Sequence, residues 1–146
     1  RGNFKAYKVD GHQHAPEINQ ELSKIAKKKI SVTFVPHLLP IERGILETIY
    51  IPLRKNQKPE TSNQILEIYK KFYKDAPFIR IKNAAEFPQL RDVQFTNFCD
   101  IGIKVSEDKK LVIIISAIDN LLKGASGQAV QNMNLMCGFK ETEGLL

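Results

Sequence analysis

The hydrophobic and polar residues of the chain follow two periods, one helical and one typical of extended strands. Apolar residues recur at helical spacing over residues 16–28, 61–74 and 121–136, which predicts three helices. Alternating or continuous apolar stretches predict strands at residues 4–9, 30–35, 45–53, 78–81, 98–105 and 111–118. Residues 55–59 are polar and predict a loop. This order of strands and helices is typical of an α+β domain.

Local patterns refine this prediction. Thr61 and Gln64 have the spacing of a capping box at the start of the second helix. Residues 111–115 are apolar at every position, so we expect one face of this strand to pack on helices and the other on another subunit. In the last helix we expect an apolar stripe formed by Ala129, Val130, Met133 and Met136.

The composition is that of a folded domain in a reducing compartment. The chain has 146 residues, of which 42% are hydrophobic and 26% charged, and no apolar run approaches the length of a membrane span. Cys99 and Cys137 are too few for a disulfide framework, so we expect partly buried thiols in a cytoplasmic protein. Because the sequence begins at Arg1 without an initiator methionine, we expect a part of a longer protein.

The formal net charge of +6 allows two kinds of partner. Nucleic-acid binding would require a basic stripe with interleaved aromatic residues, and the lysines instead form scattered clusters. A positive field also attracts small anionic substrates. We therefore favour a small anion over a nucleic acid.

The stretch from His12 to Glu17 carries the clearest candidate chemistry. We expect His12 and His14 on the loop that enters the first helix, Pro16 at its first position and Glu17 in its first turn. The positive end of the helix dipole lowers the pKa of a nearby histidine, and a neutral imidazole is a general base or a substrate ligand. The alternatives are surface histidines or, less favoured, a zinc site, which lacks a cysteine or third histidine at a customary spacing.

Several motifs that enzymes use are missing from this sequence. It has neither a Gly-x-Gly-x-x-Gly after a strand nor a phosphate-binding Gly-x-x-x-x-Gly-Lys. No serine or cysteine stands in the setting of a nucleophile with a base nearby in sequence. Acid–base candidates without a nucleophile or cofactor motif suggest one half of a two-domain enzyme.

Three segments resemble a known family. They are residues 12–18 (HQHAPEI), 34–46 (FVPHLLPIERGIL) and 118–134 (IDNLLKGASGQAVQNMN), and they stand in the order found in N-acetyl-gamma-glutamyl-phosphate reductase. The chain is more distantly similar to aspartate-semialdehyde dehydrogenase and to the catalytic half of glyceraldehyde-phosphate dehydrogenase. The resemblance implies an α+β fold with a mixed or antiparallel sheet and helices on one face.

This resemblance also implies a reaction. The family reduces an acyl phosphate to an aldehyde with NADPH in arginine biosynthesis, through a thioester on a cysteine of its nucleotide-binding part. Neither Cys99 nor Cys137 matches that cysteine. Residues 1–146 would then be the substrate-binding and dimerisation domain, with a C-terminal helix that packs on the nucleotide-binding Rossmann domain, which is absent from this chain. We expect a homo-oligomer that, as residues 1–146 alone, has no reductase activity.

The resemblance suggests roles for particular residues. His14 is the expected acid–base group, His12 and Glu17 would orient it or hold substrate, and His37 would line the same pocket unless it is a packed loop residue. Arg43 would bind a phosphate or carboxylate unless it forms a surface ion pair.

Further along the chain, Asn120 would reach the nicotinamide of NADP unless it caps the following helix. We expect Gln128, Gln131 and Asn132 at the interface with the missing domain. The rival hypotheses are a dimerisation or binding module without chemistry of its own and a nucleic-acid-binding domain.

Overall fold

A computed structural model describes residues 2–53 and 61–146, and it divides into two compact units with their boundary between Glu42 and Arg43. The predicted loop at residues 55–59 lies outside the described residues. The candidate histidines and Glu17 belong to the first unit, and Arg43 and Asn120 belong to the second.

The main element of the first unit is helix α1, His14–Ala26. It begins two residues earlier than predicted, so Pro16 occupies the third helical position and not the first. Its missing N–H still costs nothing there, because the first four N–H groups of a helix have no helical partner. The helix ends where Lys27 adopts a left-handed conformation, with φ 51°.

Two short strands complete the regular structure of the first unit. Strand β1, Lys5–Ala6, pairs antiparallel with β2, His37–Leu38. The strand predicted at residues 30–35 is wrong, because this backbone bonds to side chains of α1: Ile30 N donates to Ser23 Oγ at 2.8 Å and Val32 N to Asn19 Oδ1 at 2.8 Å. Period-two alternation alone does not reveal such a competing partner.

The second unit contains a four-stranded mixed sheet in the order β3-β6-β5-β4. Its strands are β3 (Ile45–Pro52), β4 (Ile79–Ile81), β5 (Cys99–Val105) and β6 (Leu111–Ile118). β5 and β6 form the predicted antiparallel hairpin, β3 pairs antiparallel with β6, and β4 runs parallel to β5. The α+β prediction with a mixed sheet is confirmed.

Helix α2, Ser62–Phe72, covers one face of this sheet. The predicted capping box is present: Gln64 N donates to Thr61 Oγ1 and Thr61 N donates to Gln64 Oε1 at 2.8 Å. The buried core between helix and sheet consists of Leu66, Ile101, Ile103, Val112 and Ile114. Burying these side chains, at about 1.5–3 kcal/mol each, is the main contribution to the stability of this unit.

The opposite face of the sheet is apolar near β3, which is an edge strand. The register places Tyr50 opposite Ile113 and Thr48 opposite Ile115, with Leu46 two residues further along. Tyr50 is 63% exposed and Leu46 49% exposed, whereas Ile113 and Ile115 are half-buried. The second unit by itself therefore leaves part of this apolar face in contact with solvent.

Helix α3, Gly127–Cys137, follows a π-helical turn at Leu122–Ser126. In the predicted apolar stripe, Met133 is 49% and Met136 86% exposed, so these methionines face solvent in this chain. The expectation of a partly buried Cys137 is wrong, because Cys137 is exposed at the end of the helix. The helix instead buries Gln131 and Asn134. Both polar side chains are satisfied, since Asn134 Nδ2 donates to the carbonyls of residues 141 and 143 at 3.2 and 2.9 Å and Gln131 Nε2 donates to a carboxylate oxygen of residue 141 at 2.7 Å.

Candidate functional site

His12 and His14 lie together at the start of α1. Their ring centroids are 4.7 Å apart in an edge-on arrangement, and the His12 ring also packs against Tyr7 and Phe34. His12 is only 8% exposed, whereas His14 is exposed. Two histidines that look equivalent in the sequence therefore occupy opposite environments.

Both ring nitrogens of His12 are engaged. Nδ1 accepts a hydrogen bond from the backbone N–H of His14 at 3.2 Å, and Nε2 lies 3.3 Å from the Tyr7 hydroxyl oxygen. An accepting Nδ1 assigns the proton of the neutral ring to Nε2, which then donates to Tyr7. Burial lowers the pKa of His12, and the positive neighbours His14 and Lys8 lower it further. His12 is therefore a neutral residue that fixes the N-terminus of α1.

Glu17 and His37 have different surroundings. Glu17 lies in the first turn of α1, as predicted, and is exposed. His37 lies on β2, where its ring stacks on Phe4 with centroids 5.1 Å apart and its Nδ1 is 3.1 Å from the Val35 carbonyl oxygen. The first unit thus brings His12 and His14 into direct contact and packs His37 against Phe4.

In the second unit, Arg43 is paired with a buried carboxylate. Its Nε donates to Asp119 Oδ2 at 2.5 Å, and its guanidinium carbon lies 4.4 Å from the centre of the Phe95 ring. Among the described residues, neither Nη1 nor Nη2 of Arg43 has a hydrogen-bond partner. The Arg43 side chain is 21% exposed, so the ion pair that was the alternative to ligand binding is present, but it is partly buried and uses only one of the three guanidinium nitrogens in bonds to described residues.

Asp119 and Asn120 connect the end of β6 to the segment that begins β3. Asp119 Oδ1 accepts from the N–H groups of Leu121 and Leu122 at 2.8 and 2.9 Å, so Asp119 and not Asn120 caps the turn that follows. Asn120 Oδ1 instead accepts from Gly44 N at 2.7 Å. Gly44 has φ 120°, a conformation that favours glycine, and a Cβ there would lie 2.7 Å from a Leu90 methyl carbon.

Asp119 is fully buried and charged. Burial alone would raise its pKa, but hydrogen bonds from the Arg43 side chain and from the backbone of Phe95, Leu122 and Leu121 outweigh burial and leave the pKa below its ordinary value. A buried carboxylate with this many donors remains ionised at neutral pH and holds each of them in place.

A second arginine of this unit has a similar arrangement. Arg80 Nε donates to the fully buried Asp100 at 2.5 Å, and the guanidinium lies over Phe98 at 4.3 Å. Here Arg80 Nη2 also donates to the Asp92 carbonyl at 2.9 Å, and Lys82 Nζ lies 2.8 Å from Asp100 Oδ2. The Arg80 guanidinium therefore uses Nε and Nη2 within the protein, while Asp100 Oδ2 has only the ion pair with Lys82 and Arg80 Nη1 has no hydrogen-bond partner among the described residues.

Across residues 2–53 and 61–146, no three histidine, cysteine, aspartate or glutamate side chains are placed to hold a metal ion. Within the same residues, no helix combines the length and apolarity needed to cross a membrane.

The model of the family described as "semialdehyde dehydrogenase, dimerisation domain" matches residues 1–120. This chain belongs to the semialdehyde dehydrogenase dimerisation domain family. The match includes all the candidate site residues of both units and ends at Asn120, before α3 begins.

Two curated relatives of this dimerisation domain are N-acetyl-gamma-glutamyl-phosphate reductases. The chain is 49% identical over 144 residues to the N-acetyl-gamma-glutamyl-phosphate reductase of Staphylococcus saprophyticus and 52% identical over 143 residues to that of Pelotomaculum thermopropionicum. These alignments cover 99% and 98% of the chain but only 41% and 40% of the relatives. The dimerisation domain thus spans about two fifths of the length of these reductases.

Solved structures share its fold. Aspartate semialdehyde dehydrogenase II from Vibrio cholerae matches with a TM-score of 0.68 and 22% identity, covering 88% of this chain and 38% of the other. The enzyme from Francisella tularensis matches with a TM-score of 0.66 and 21% identity, covering 92% and 39%. This confirms the predicted relationship of the fold to semialdehyde dehydrogenases.

The main residue of the dimerisation domain that the sequence analysis missed is Asp119. Its signal was present, because an aspartate two residues before the first turn of a predicted helix is a typical N-cap. Its contact with Arg43, 76 positions away in the sequence, was not detectable without the sheet that brings β3 beside β6.

Proposed function

We propose that this chain is the substrate-binding and dimerisation domain of an N-acetyl-gamma-glutamyl-phosphate reductase of the cytoplasm. This enzyme reduces N-acetyl-glutamyl phosphate to the semialdehyde with NADPH in arginine biosynthesis. The observation that carries the proposal is the similarity to reductases of that name along nearly the whole chain.

The different surroundings of the two histidines support different roles for them in this reaction. His12 uses both ring nitrogens within the protein, so it would lose its bond to the helix terminus if it took up a proton on Nδ1. His14 is exposed at the first position of α1. We therefore assign to His14 the acid–base role, which is transfer of a proton to and from the reacting groups, and to His12 the role of positioning it. Glu17, in the same helical turn, would hold a polar group of the substrate.

Arg43 and Asn120 supply donors suited to the two ligands of the reaction. The Nη groups of Arg43, which have no partner among the described residues, match the paired oxygens of a phosphate or carboxylate. In the first unit, His37 would contact the substrate. Asn120 fits an amide of NADP, since its Oδ1 is fixed by Gly44 N–H and its Nδ2 has no partner among the described residues. When bound, the nicotinamide supplies the hydride. The missing nucleotide-binding domain would provide most of the contacts to NADP.

The partly exposed face of the sheet supports a homo-oligomer. Tyr50 and Leu46 expose apolar surface next to the half-buried Ile113 and Ile115, and contiguous apolar patches of this kind mark interfaces. Tyr50→Glu should raise the dissociation constant of the dimer about 100-fold in light scattering. Ile68→Glu is the matched control, because Ile68 is 56% exposed on α2 and lies outside this face. An unchanged dimer in the Tyr50→Glu protein would refute this interface.

The reductase proposal is tested by comparing the full-length protein with residues 1–146 alone. The full-length protein should oxidise NADPH when N-acetyl-glutamyl phosphate is added, and residues 1–146 should not, because they contain neither a cofactor motif nor a suitable nucleophile. A full-length protein that dimerises but leaves NADPH unchanged would instead identify the rival function, a dimerisation module without chemistry.

A further inference from the structure

Asp119 links four separate groups through two oxygens. Oδ2 accepts from Arg43 Nε at 2.5 Å and from Phe95 N at 2.7 Å, while Oδ1 accepts from Leu121 N and Leu122 N. Asp119 has no exposed surface, so it cannot itself contact a substrate in solution. Its effect on a ligand must pass through the groups it holds.

One of those groups is held in a strained conformation. Phe95 has φ 62°, a left-handed conformation that is unusual and energetically unfavourable for a bulky residue. Burial of its ring does not explain this conformation, because Phe95 is 73% exposed. The conformation does place the Phe95 ring under the Arg43 guanidinium while its N–H bonds to the same carboxylate oxygen as Arg43. Asp119 and Phe95 thus fix the guanidinium from its edge and from its face.

The backbone of Arg43 is held as well. Gln94 Nε2 donates to the Arg43 carbonyl oxygen at 2.7 Å, and the adjacent Gly44 N–H is bound by Asn120. With the backbone and Nε fixed, the orientation of the Nη1–Nη2 edge is determined before any ligand arrives. Fixing a planar donor pair in advance lowers the entropy cost of binding an oxyanion.

We propose that Asp119 is a positioning residue that holds Arg43 by its Nε, so that the two Nη groups are aligned to bind an oxyanion of the substrate. This inference rests on the proposed function. The oxyanion is either the phosphate or the carboxylate of the substrate, and the two sources are separated by the experiment below.

The test uses the full-length protein in the reverse direction, in which semialdehyde, inorganic phosphate and NADP give the acyl phosphate, NADPH and a proton. Asp119→Asn should raise one KM about tenfold or more and change kcat less, because only alignment is lost. A rise in the KM for inorganic phosphate assigns the phosphate to Arg43, and a rise in the KM for the semialdehyde assigns the carboxylate. Asp100→Asn is the matched control: it removes the other buried Arg–Asp pair and should lower stability without raising either KM.

A double-mutant cycle separates positioning from a general structural effect. If Asp119 acts through Arg43, then Arg43→Lys in the Asp119→Asn background should raise the KM much less than it does in wild type. Independent multiplicative effects of the two substitutions, or an unchanged KM in folded Asp119→Asn protein, would overturn the proposal.

A measurement on the unaltered protein keeps the proposal testable if Asp119→Asn does not fold. In full-length protein labelled with 15N-arginine, the Nε–H of Arg43 should exchange slowly with water in the absence of substrate, and Arg43→Lys identifies its signal. Fast exchange at Arg43 would refute the pairing. This readout needs no turnover, so an inactive wild-type enzyme would refute the proposed function and leave the test of Asp119 intact.

Discussion

Two clusters of this domain are built from the same three residue types and differ in what they leave unsatisfied. In each, an arginine lies over a phenylalanine ring and gives its Nε to a fully buried aspartate, Asp119 for Arg43 and Asp100 for Arg80. Around Arg80 a backbone carbonyl binds Nη2 and Lys82 pairs with Asp100, and only Nη1 of the guanidinium has no partner among the described residues. Around Arg43 the two Nη groups have no partner among the described residues.

The difference shows that a buried ion pair does not by itself indicate either a binding site or a structural role. Removing two charges from water is costly, and the cost is recovered only when geometry and further hydrogen bonds are good. Arg80, on the edge strand β4, obtains a second guanidinium hydrogen bond from the protein. On our proposal, the bonds of the Arg43 cluster fix its orientation and leave the two Nη groups to bind a ligand, just as His12 is engaged within the protein and His14 is exposed.

The largest expected effect concerns the free member of the histidine pair. His14→Asn in the full-length enzyme keeps polarity but cannot transfer a proton, so kcat should fall about 10²–10⁴-fold in a steady-state NADPH assay. KM should change less, because substrate binding is assigned to Arg43. Since His14 is exposed, the thermal midpoint should remain near that of wild type.

His12→Asn is the matched control for that experiment. The asparagine oxygen can still accept the His14 N–H, so folded protein should retain most of its kcat while losing stability from the poorer packing against Tyr7 and Phe34. If His14→Asn turns over at the wild-type rate and His12→Asn is inactive, the two assignments must be exchanged.

The next largest effect concerns Asp100 in the Arg80 cluster. Asp100→Asn leaves Arg80 and Lys82 beside a buried neutral amide and should lower the free energy of unfolding by about 3 kcal/mol in urea titrations. Arg80 remains partly exposed, so a larger loss is not expected. Loss of substrate affinity without loss of stability in this variant would remove the distinction between the two clusters.

A smaller effect is expected from exchanging each arginine for lysine. Arg43→Lys should raise the KM of one substrate about tenfold, because a lysine cannot present two parallel donors, with kcat less affected. Arg80→Lys should leave both KM values unchanged and reduce the thermal midpoint. If Arg43→Lys and Arg80→Lys have the same KM for each substrate, the assignment of a ligand to Arg43 is wrong.

The smallest effect is the dependence of stability on pH that His12 contributes. Its pKa in the folded chain lies below the value of about 6.5 of the unfolded chain. Below that pH the unfolded state binds more protons, so this contribution to stability is present above about pH 6.5 and is lost as the pH falls toward the folded-state pKa. Urea midpoints between pH 5 and 8 should fall less steeply in His12→Asn than in wild type, and parallel slopes would argue against a buried neutral His12.

Local signals predicted the elements whose hydrogen bonds are local. The capping box of α2 and the β5–β6 hairpin were evident because their partners are close in sequence. The strand expected at residues 30–35 was wrong because Ser23 and Asn19 provide the partners that a neighbouring strand would otherwise provide. On α3 the side chains buried within this chain are the polar Gln131 and Asn134, which the apolar pattern does not indicate because their hydrogen bonds depend on residue 141 and the segment after the helix.

The candidate site was predictable as a set of residues and not as an arrangement. The sequence indicates that His12, His14 and Arg43 belong to motifs, but not that His12 is buried, since that depends on the packing of Tyr7 and Phe34 around it. Gln131, expected at an interface, is buried with Asn97 and Lys123. Long-range contacts of this kind have no signature in a single sequence.

The close contact at Gly127 restricts the order in which this sequence can change during evolution. A Cβ at this position would lie 2.3 Å from Asn97 Oδ1 and 3.0 Å from the Leu122 carbonyl group, at the end of the π-helical turn. A side chain at position 127 therefore requires Asn97 to move away or to be replaced by a smaller residue, and the turn to shift. A substitution at position 127 is accepted more easily after a change at position 97, so the changes at these two positions depend on each other.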